Sequence, residues 1–262
     1  MKQSDGVAWG VTDKIGRIVL TRPESANSLT RAATRALATG IDEVLECQPR
    51  VVLLAAQGSI FCCGGDINEF VAAGSGLDEL VDDILVPLHG ALHRLVSAPV
   101  PVVSALNGPI AGAGVGLALC ADFVLGAVSL KLRTGYAAIG LSPDLGASYF
   151  LARRVGAVRA QQWLMLSDTI DAERCLQYGV VDALHPDAEL EAAADNLAKR
   201  LALMPAASVS AIKTLCSGLP GRSLEAHLSL EHELLVGCSR SVDAVEGLRA
   251  FVEKRPPQFN RS

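Results

Sequence analysis

The chain has 262 residues, of which 50% are hydrophobic, 19% charged and 4% aromatic. Disorder requires low hydrophobicity and high net charge, and this chain has neither. A formal net charge of −5 supplies no basic field for nucleic acid or for an anionic membrane. So little charge, on a chain long enough for one large domain and a sizeable core, points to surface covered by other subunits.

The opening MKQSDGVAWG carries no apolar run, which predicts neither a signal peptide nor a transit peptide. Two short strands are predicted over 7–11 and 15–20, joined by a turn at Asp13-Lys14. Arg22-Pro23 ends the second strand, and Asn27 or Ser28 is placed to cap a helix running to about Cys47. Residues 51–56 read as a buried strand. Gly58 to Asp66 is a loop of small residues, with Asp66 set to cap a short helix through Phe70. A long helix follows over 77–96, with Pro87 predicted to kink or end it. Its His89 and His93 stand at i, i+4 spacing but lack the Glu of H-E-x-x-H. They read as two histidines on one face of an amphipathic helix, not as metal ligands.

Leu95 to Ala121 is uncharged for longer than the roughly 20 residues a membrane helix needs. Pro99, Pro101, Asn107, Pro109 and four glycines interrupt it, so it reads as a buried strand over 101–106, a glycine loop and a helix ending near Cys120. A strand over 122–126 comes next. From about Leu145 helices are predicted over 145–155, 157–166, 171–178, 187–203, 205–216, 223–236 and 241–254. His227 and His232, beside Glu231 and Glu233, belong to a solvated helix face. Strands first and helices later predict an α/β core over residues 1–200 and a helical region over 201–262. Seven cysteines form an odd count without zinc-ligand spacing, which predicts free, reduced thiols, a cytoplasmic location and no metal site.

Gly112-Ala-Gly114-Val-Gly116 follows a strand and opens a helix, as a dinucleotide-binding loop would. Its third glycine comes one residue too early, and Lys131 and Arg133 stand where an acidic residue is required. No phosphate loop or nucleophile elbow is present. What remains is two small-residue loops, 61–68 and 111–116, each following a buried strand and each opening a helix. Such turns present unpaired N–H groups, and two of them converging on one carbonyl oxygen would form an oxyanion hole. Tight turns with no ligand would read the same way at this level.

Phe61-Cys-Cys-Gly-Gly-Asp-Ile-Asn-Glu-Phe70 resembles the F-C-A-G-A-D-[IL]-x-E-[FM] segment of the crotonase (enoyl-CoA hydratase/isomerase) superfamily. Residues 22–29, 99–122, 139–146, 172–181 and 246–255 resemble further segments of that superfamily in the same order. The resemblance implies an α/β fold, a spiral of β-β-α turns with a helical C-terminal trimerisation region. It also implies a homotrimer or a hexamer (a dimer of trimers), an acyl-CoA thioester substrate, and no cofactor beyond the coenzyme A of that substrate. Nucleic acid and membrane are not expected partners.

Carried over position by position, the resemblance makes the backbone N–H groups of Gly65 and Ala113 the oxyanion hole. Hydratases of the superfamily activate water with two glutamates, and this chain has Gly116 and Tyr136 at those positions. Enoyl-CoA isomerases and the phenylacetate-pathway epoxide isomerase carry Asp or Glu where this chain has Asp144. One carboxylate facing an oxyanion hole suffices to move a proton between two carbons of an enolate. The same Asp144 could instead simply cap the helix that follows. The resemblance also sets Cys62, Cys63, Asp66, Ile67, Gly112, Tyr136 and Lys254 around the substrate. Of these, Asp66 doubles as a cap, Tyr136 forms pocket wall, and Lys254 with Arg255 is a candidate for the CoA phosphates. Asn68 stands where many relatives have Lys. Three readings stay open: an acyl-CoA isomerase, an enoyl-CoA hydratase of fatty-acid degradation, or a catalytically silent acyl-CoA binder.

Overall fold

The computed structural model describes residues 1–259. Along the chain come β1 (Lys2–Ser4), β2 (Val7–Thr12), β3 (Ile15–Leu20), α1 (Arg31–Glu46), β4 (Val51–Ala56), α2 (Ile67–Ala73) and α3 (Leu77–Ser97). Next are β5 (Val102–Leu106), β6 (Ile110–Ala111), α4 (Ala113–Leu119), β7 (Phe123–Ala127), β8 (Lys131–Arg133), α5 (Ala147–Val155) and α6 (Ala157–Leu166). The chain closes with β9 (Ile170–Asp171), α7 (Ala172–Gln177), β10 (Ala183–His185), α8 (Leu190–Ala202), α9 (Ala206–Ser217), α10 (Leu224–Ser239) and α11 (Val242–Glu253).

Asp13 and Lys14 both adopt positive φ, 52° and 61°, giving the two-residue turn whose twist matches the antiparallel strands β2 and β3 that it joins. The main sheet has the order β1-β2-β3-β4-β5-β7-β10, parallel from β3 onward. A smaller sheet, β6-β8-β9, lies beside the second glycine loop. Isolated bridges Cys62–Ile110 and Leu29–Gly65 carry this pairing out to the first glycine loop.

Period-2 alternation divides the apolar strands between two cores. Val52, Leu54, Val102, Leu106 and Val124 face the larger core with α1, α3, α4 and α5. Val51, Leu53, Val103, Ala105 and Leu125 face the smaller one, closed by Leu190, Ala194 and Ala198 of α8. Burial on both faces explains why β4 and β5 read as continuous hydrophobic runs. Among the described residues no helix is long and apolar enough to cross a membrane.

Three local expectations are corrected. The cap of α1 is Thr30, whose side chain accepts from the Ala33 N–H, and not Asn27 or Ser28. Pro87 lies inside α3 and does not end it. Gly146 is the N-cap of α5, which therefore has no side-chain cap. The short strands β1, β6, β8, β9 and β10 have no counterpart in the sequence pattern, because two or three residues are too few to show a period.

Asn27 is buried at φ +52° and does a different job from capping. Its Nδ2 donates to the carbonyls of Gln57 (2.9 Å) and Ile60 (2.8 Å), and its Oδ1 accepts from the Arg22 N–H (2.8 Å). It thereby ties the end of β3 to the loop that leads into the first glycine turn. Asn27→Ala strands those buried groups and puts a Cβ-bearing residue without polar anchorage in the left-handed region. It should lower unfolding free energy by about 1–3 kcal/mol in urea titrations, the cost of a buried group left unsatisfied.

Candidate active site

The two glycine turns meet backbone to backbone. Gly64 has φ +93°, and a Cβ there would stand 3.0 Å from the Ala111 carbonyl oxygen and 3.1 Å from the Ala113 nitrogen. A Cβ on Gly114 would collide with the Cys62 carbonyl. Only glycine allows this contact, and it brings Gly65 beside the start of α4.

Both candidate donors are left unused. Across the Leu29–Gly65 bridge, the Leu29 N–H donates to Gly64 O (2.8 Å) and the Asp66 N–H donates to Leu29 O (3.2 Å). In a parallel pairing of this kind the N–H of Gly65 itself is turned away from Leu29. Ala113 is the first residue of α4, where no intrahelical acceptor exists. Among the described residues neither N–H has a hydrogen-bond partner.

Gly65 and Ala113 open onto a cavity of about 430 Å³. One wall is α3, contributing Val81, Ile84, Leu85, Leu88 and His89; another is the segment from Arg133 to Leu145. The volume lies in the range of small-ligand sites, and the lining is mainly apolar.

Asp144 reaches into this cavity. Its Oδ1 accepts from the Tyr136 hydroxyl at 2.5 Å, a charge-assisted hydrogen bond. The capping alternative is thereby decided at the level of the side chain, since only the Asp144 carbonyl meets the helix, accepting from the Ala147 N–H at 2.8 Å. Burial is the main influence on the carboxyl and raises its pKa above the usual aspartate value; the Tyr136 hydrogen bond and the positive potential of His89 work the other way. Burial and the Asp144 charge together push the Tyr136 phenol far up, so Tyr136 is a fixed donor.

At Gly116 the helix leaves no room for a side chain. α4 is buried along its whole length, and any Cβ at Gly116 would collide with the Leu145 carbonyl oxygen. Leu145, fully buried, holds φ at +44°. Such a conformation for a bulky residue persists only where surrounding packing enforces it. The turn that presents Asp144 therefore uses the space a Gly116 side chain would need.

The other sequence-predicted residues are distributed as follows. Cys63, Ile67, Gly112 and Tyr136 line the cavity. Cys62 is buried behind it, and burial pushes its thiol up to about 12. Asp66 caps α2, accepting from the N–H groups of Asn68 (3.0 Å) and Glu69 (3.2 Å) and from the Ser28 hydroxyl (2.8 Å). The Ser28 hydrogen bond is the chief reason its pKa is lowered. Lys254 ends α11 and is not part of the cavity lining of its own chain. Arg255 is engaged by Glu246 (2.6 Å) and Glu253 (2.7 Å). His89 and Arg133 line the cavity and were not among the expected site residues. The signal for His89 was its place in the stripe 81, 84, 85, 88, 89, the i, i+3, i+4, i+7, i+8 pattern of one helix face.

The chain matches the family model described as enoyl-CoA hydratase/isomerase over residues 10–262. It is 34% identical over 253 residues to a Rhodobacter capsulatus protein named "Probable enoyl-CoA hydratase", covering 97% of each chain. It is also 34% identical over 247 residues to the 1,2-epoxyphenylacetyl-CoA isomerase of Escherichia coli K12, covering 92% of this chain and 93% of that one. The crystal structure of an enoyl-CoA hydratase from Polaromonas superposes with a TM-score of 0.90 at 27% identity, over 97% of this chain and 99% of the other. The chain belongs to the enoyl-CoA hydratase/isomerase family. It is an enzyme of the crotonase fold, with the C-terminal helices of that fold present.

Gly116→Ala tests the packing at Leu145. Overpacking against backbone costs about 1–3 kcal/mol, against a helix-propensity gain of up to about 1 kcal/mol. The variant should unfold at lower urea than the parent, and a Glu at this position should not create crotonyl-CoA hydration.

Proposed function

We propose that the protein is an acyl-CoA isomerase that shifts a double bond from the 3-enoyl to the 2-enoyl position, or isomerises a ring-derived epoxide, with no cofactor beyond the substrate's coenzyme A. The observation that carries this reading is Asp144, a single carboxylate held by Tyr136 in an apolar cavity beside two unused N–H groups. At the two positions where hydratases place glutamates stand a glycine pressed against backbone and a tyrosine locked as a donor.

The thioester oxygen would accept from Gly65 and Ala113. Asp144 takes a proton from C2, the C–H electron pair passes into the thioester, and negative charge gathers on that oxygen. Each N–H donor aimed there is worth about 3–4 kcal/mol in the transition state. Protonation at C4 then leaves the double bond between C2 and C3, conjugated with the thioester. The apolar residues of α3 and of the segment 138–141 suit an acyl chain and keep water from the dienolate.

A homotrimer, alone or paired into a hexamer, accounts for the apolar C-terminal surface. Val242, Val245, Leu248 and Val252 form a stripe along α11 that is exposed among the described residues, with Phe251 84% and Val252 80% exposed. Light scattering should give at least three chains per particle, and Phe251→Asp should dissociate it. All seven cysteines are free thiols, as suits a reducing cytoplasm.

Asp144→Asn should lower isomerisation of 3-enoyl-CoA about 10²–10⁴-fold, the usual contribution of a general base, when formation of the conjugated thioester is followed. Crotonyl-CoA hydration should be weak in both proteins; rapid hydration by the parent would favour the hydratase reading. If neither protein isomerises while both still bind acyl-CoA, the silent binder is the correct reading.

The pH dependence has a defined sign. Asp144 titrates above the ordinary aspartate value of about 3.9, so ionising it opposes folding. The stability it contributes is complete below about 3.9 and is lost as pH rises through its higher folded pKa. Asp144→Asn should therefore match or exceed the parent in thermal stability at neutral pH, with the gain vanishing in acid. The acid limb of the parent's kcat/KM profile should lie above about 3.9.

A further inference from the structure

The cavity holds a second group able to carry protons, on a different element from Asp144. His89 belongs to the α3 stripe that lines it, and Asp144 lines the same cavity from the segment 133–145. Among the described residues its imidazole has no hydrogen-bond or ion-pair partner, and its exposed position keeps it open to water. The remaining polar lining is unsuited to the task. Arg133 cannot release a proton, and its Nε donates to the Ser167 carbonyl at 3.2 Å. Tyr136 is committed to Asp144, and the Cys63 thiol is raised above its ordinary value by burial. Imidazole is the side chain suited to both giving and accepting a proton near neutral pH.

The Tyr136 hydroxyl also limits Asp144. With Oδ1 held by the Tyr136 hydroxyl at 2.5 Å, the carboxylate has a restricted swing between two carbons. We propose that His89 is a second proton carrier of this site: Asp144 takes the proton from C2, and imidazolium His89 delivers one to C4. The inference rests on the isomerase reading and adds a catalytic residue to it. The proton count balances within a turnover. The C2–H pair enters the dienolate, the dienolate forms the new C4–H bond with the proton of His89, and solvent returns a proton from protonated Asp144 to neutral His89. A lone swinging carboxylate would instead return the substrate's own proton.

The test compares the full-length parent, His89→Gln and His93→Gln with a 3-enoyl-CoA in deuterium oxide, reading rate by absorbance and C4 deuterium by NMR. His93, one turn further along α3, is exposed and absent from the cavity lining, so its variant should match the parent. His89→Gln should slow turnover by about 10²-fold, and its residual product should carry much less deuterium at C4 than the parent's. Unchanged rate and label in His89→Gln would overturn the proposal. A slower rate with unchanged label would also overturn it, leaving His89 a positioning group. A parent that forms no conjugated product would sink the isomerase reading and this proposal together, an outcome distinct from failure of His89 alone.

Discussion

Two backbone turns pressed together without side chains between them set the terms for the rest of the molecule. The Gly64 turn and the Gly112 turn approach so closely that a single Cβ on the first would crowd main-chain atoms of the second. That approach fixes where β4 and β5 must deliver the chain and aligns the start of α4 with Gly65. It also leaves two N–H groups facing the same cavity with no partner among the described residues. Unsatisfied donors beside an apolar space are unfavourable for folding alone. They suit a site whose ligand brings the missing acceptor.

The carboxylate is placed by a second constraint of the same kind. Gly116 lets the Leu145 carbonyl sit against α4, Leu145 accepts a left-handed backbone, and the residue before it is aimed at Tyr136 and into the cavity. The bare backbone at Gly116 therefore has a structural use. It frees the volume that the loop bearing Asp144 occupies. Within that loop burial outweighs the Tyr136 hydrogen bond, and Asp144 becomes a stronger base than an exposed aspartate.

Much of this was legible from the sequence because it is written in backbone requirements. The continuous apolar runs of β4 and β5, the Asp13-Lys14 turn, the Asp66 cap and the glycines of both loops each follow from local rules. Asp144 was legible only through its place in a resembling motif, since Ser-Pro-Asp before a helix reads equally well as a cap. Asn27 was misread for the same reason: its local pattern is that of a cap, while its partners Gln57 and Ile60 lie 30 and 33 residues away. His89 was hidden because a helical stripe shows which residues share a face and not what that face encloses. The exposed apolar stripe of α11 was foreshadowed by the low charge of the whole chain, though composition could not locate it.

The most direct measurement is a crystal structure of the Asp144→Asn protein with a 3-enoyl-CoA bound. The thioester oxygen should lie about 3 Å from both the Gly65 and Ala113 nitrogens, with C2 beside the residue-144 amide and the acyl chain along α3. A thioester oxygen bound elsewhere, or C2 held away from residue 144, would contradict the assignment of Asp144 as the base.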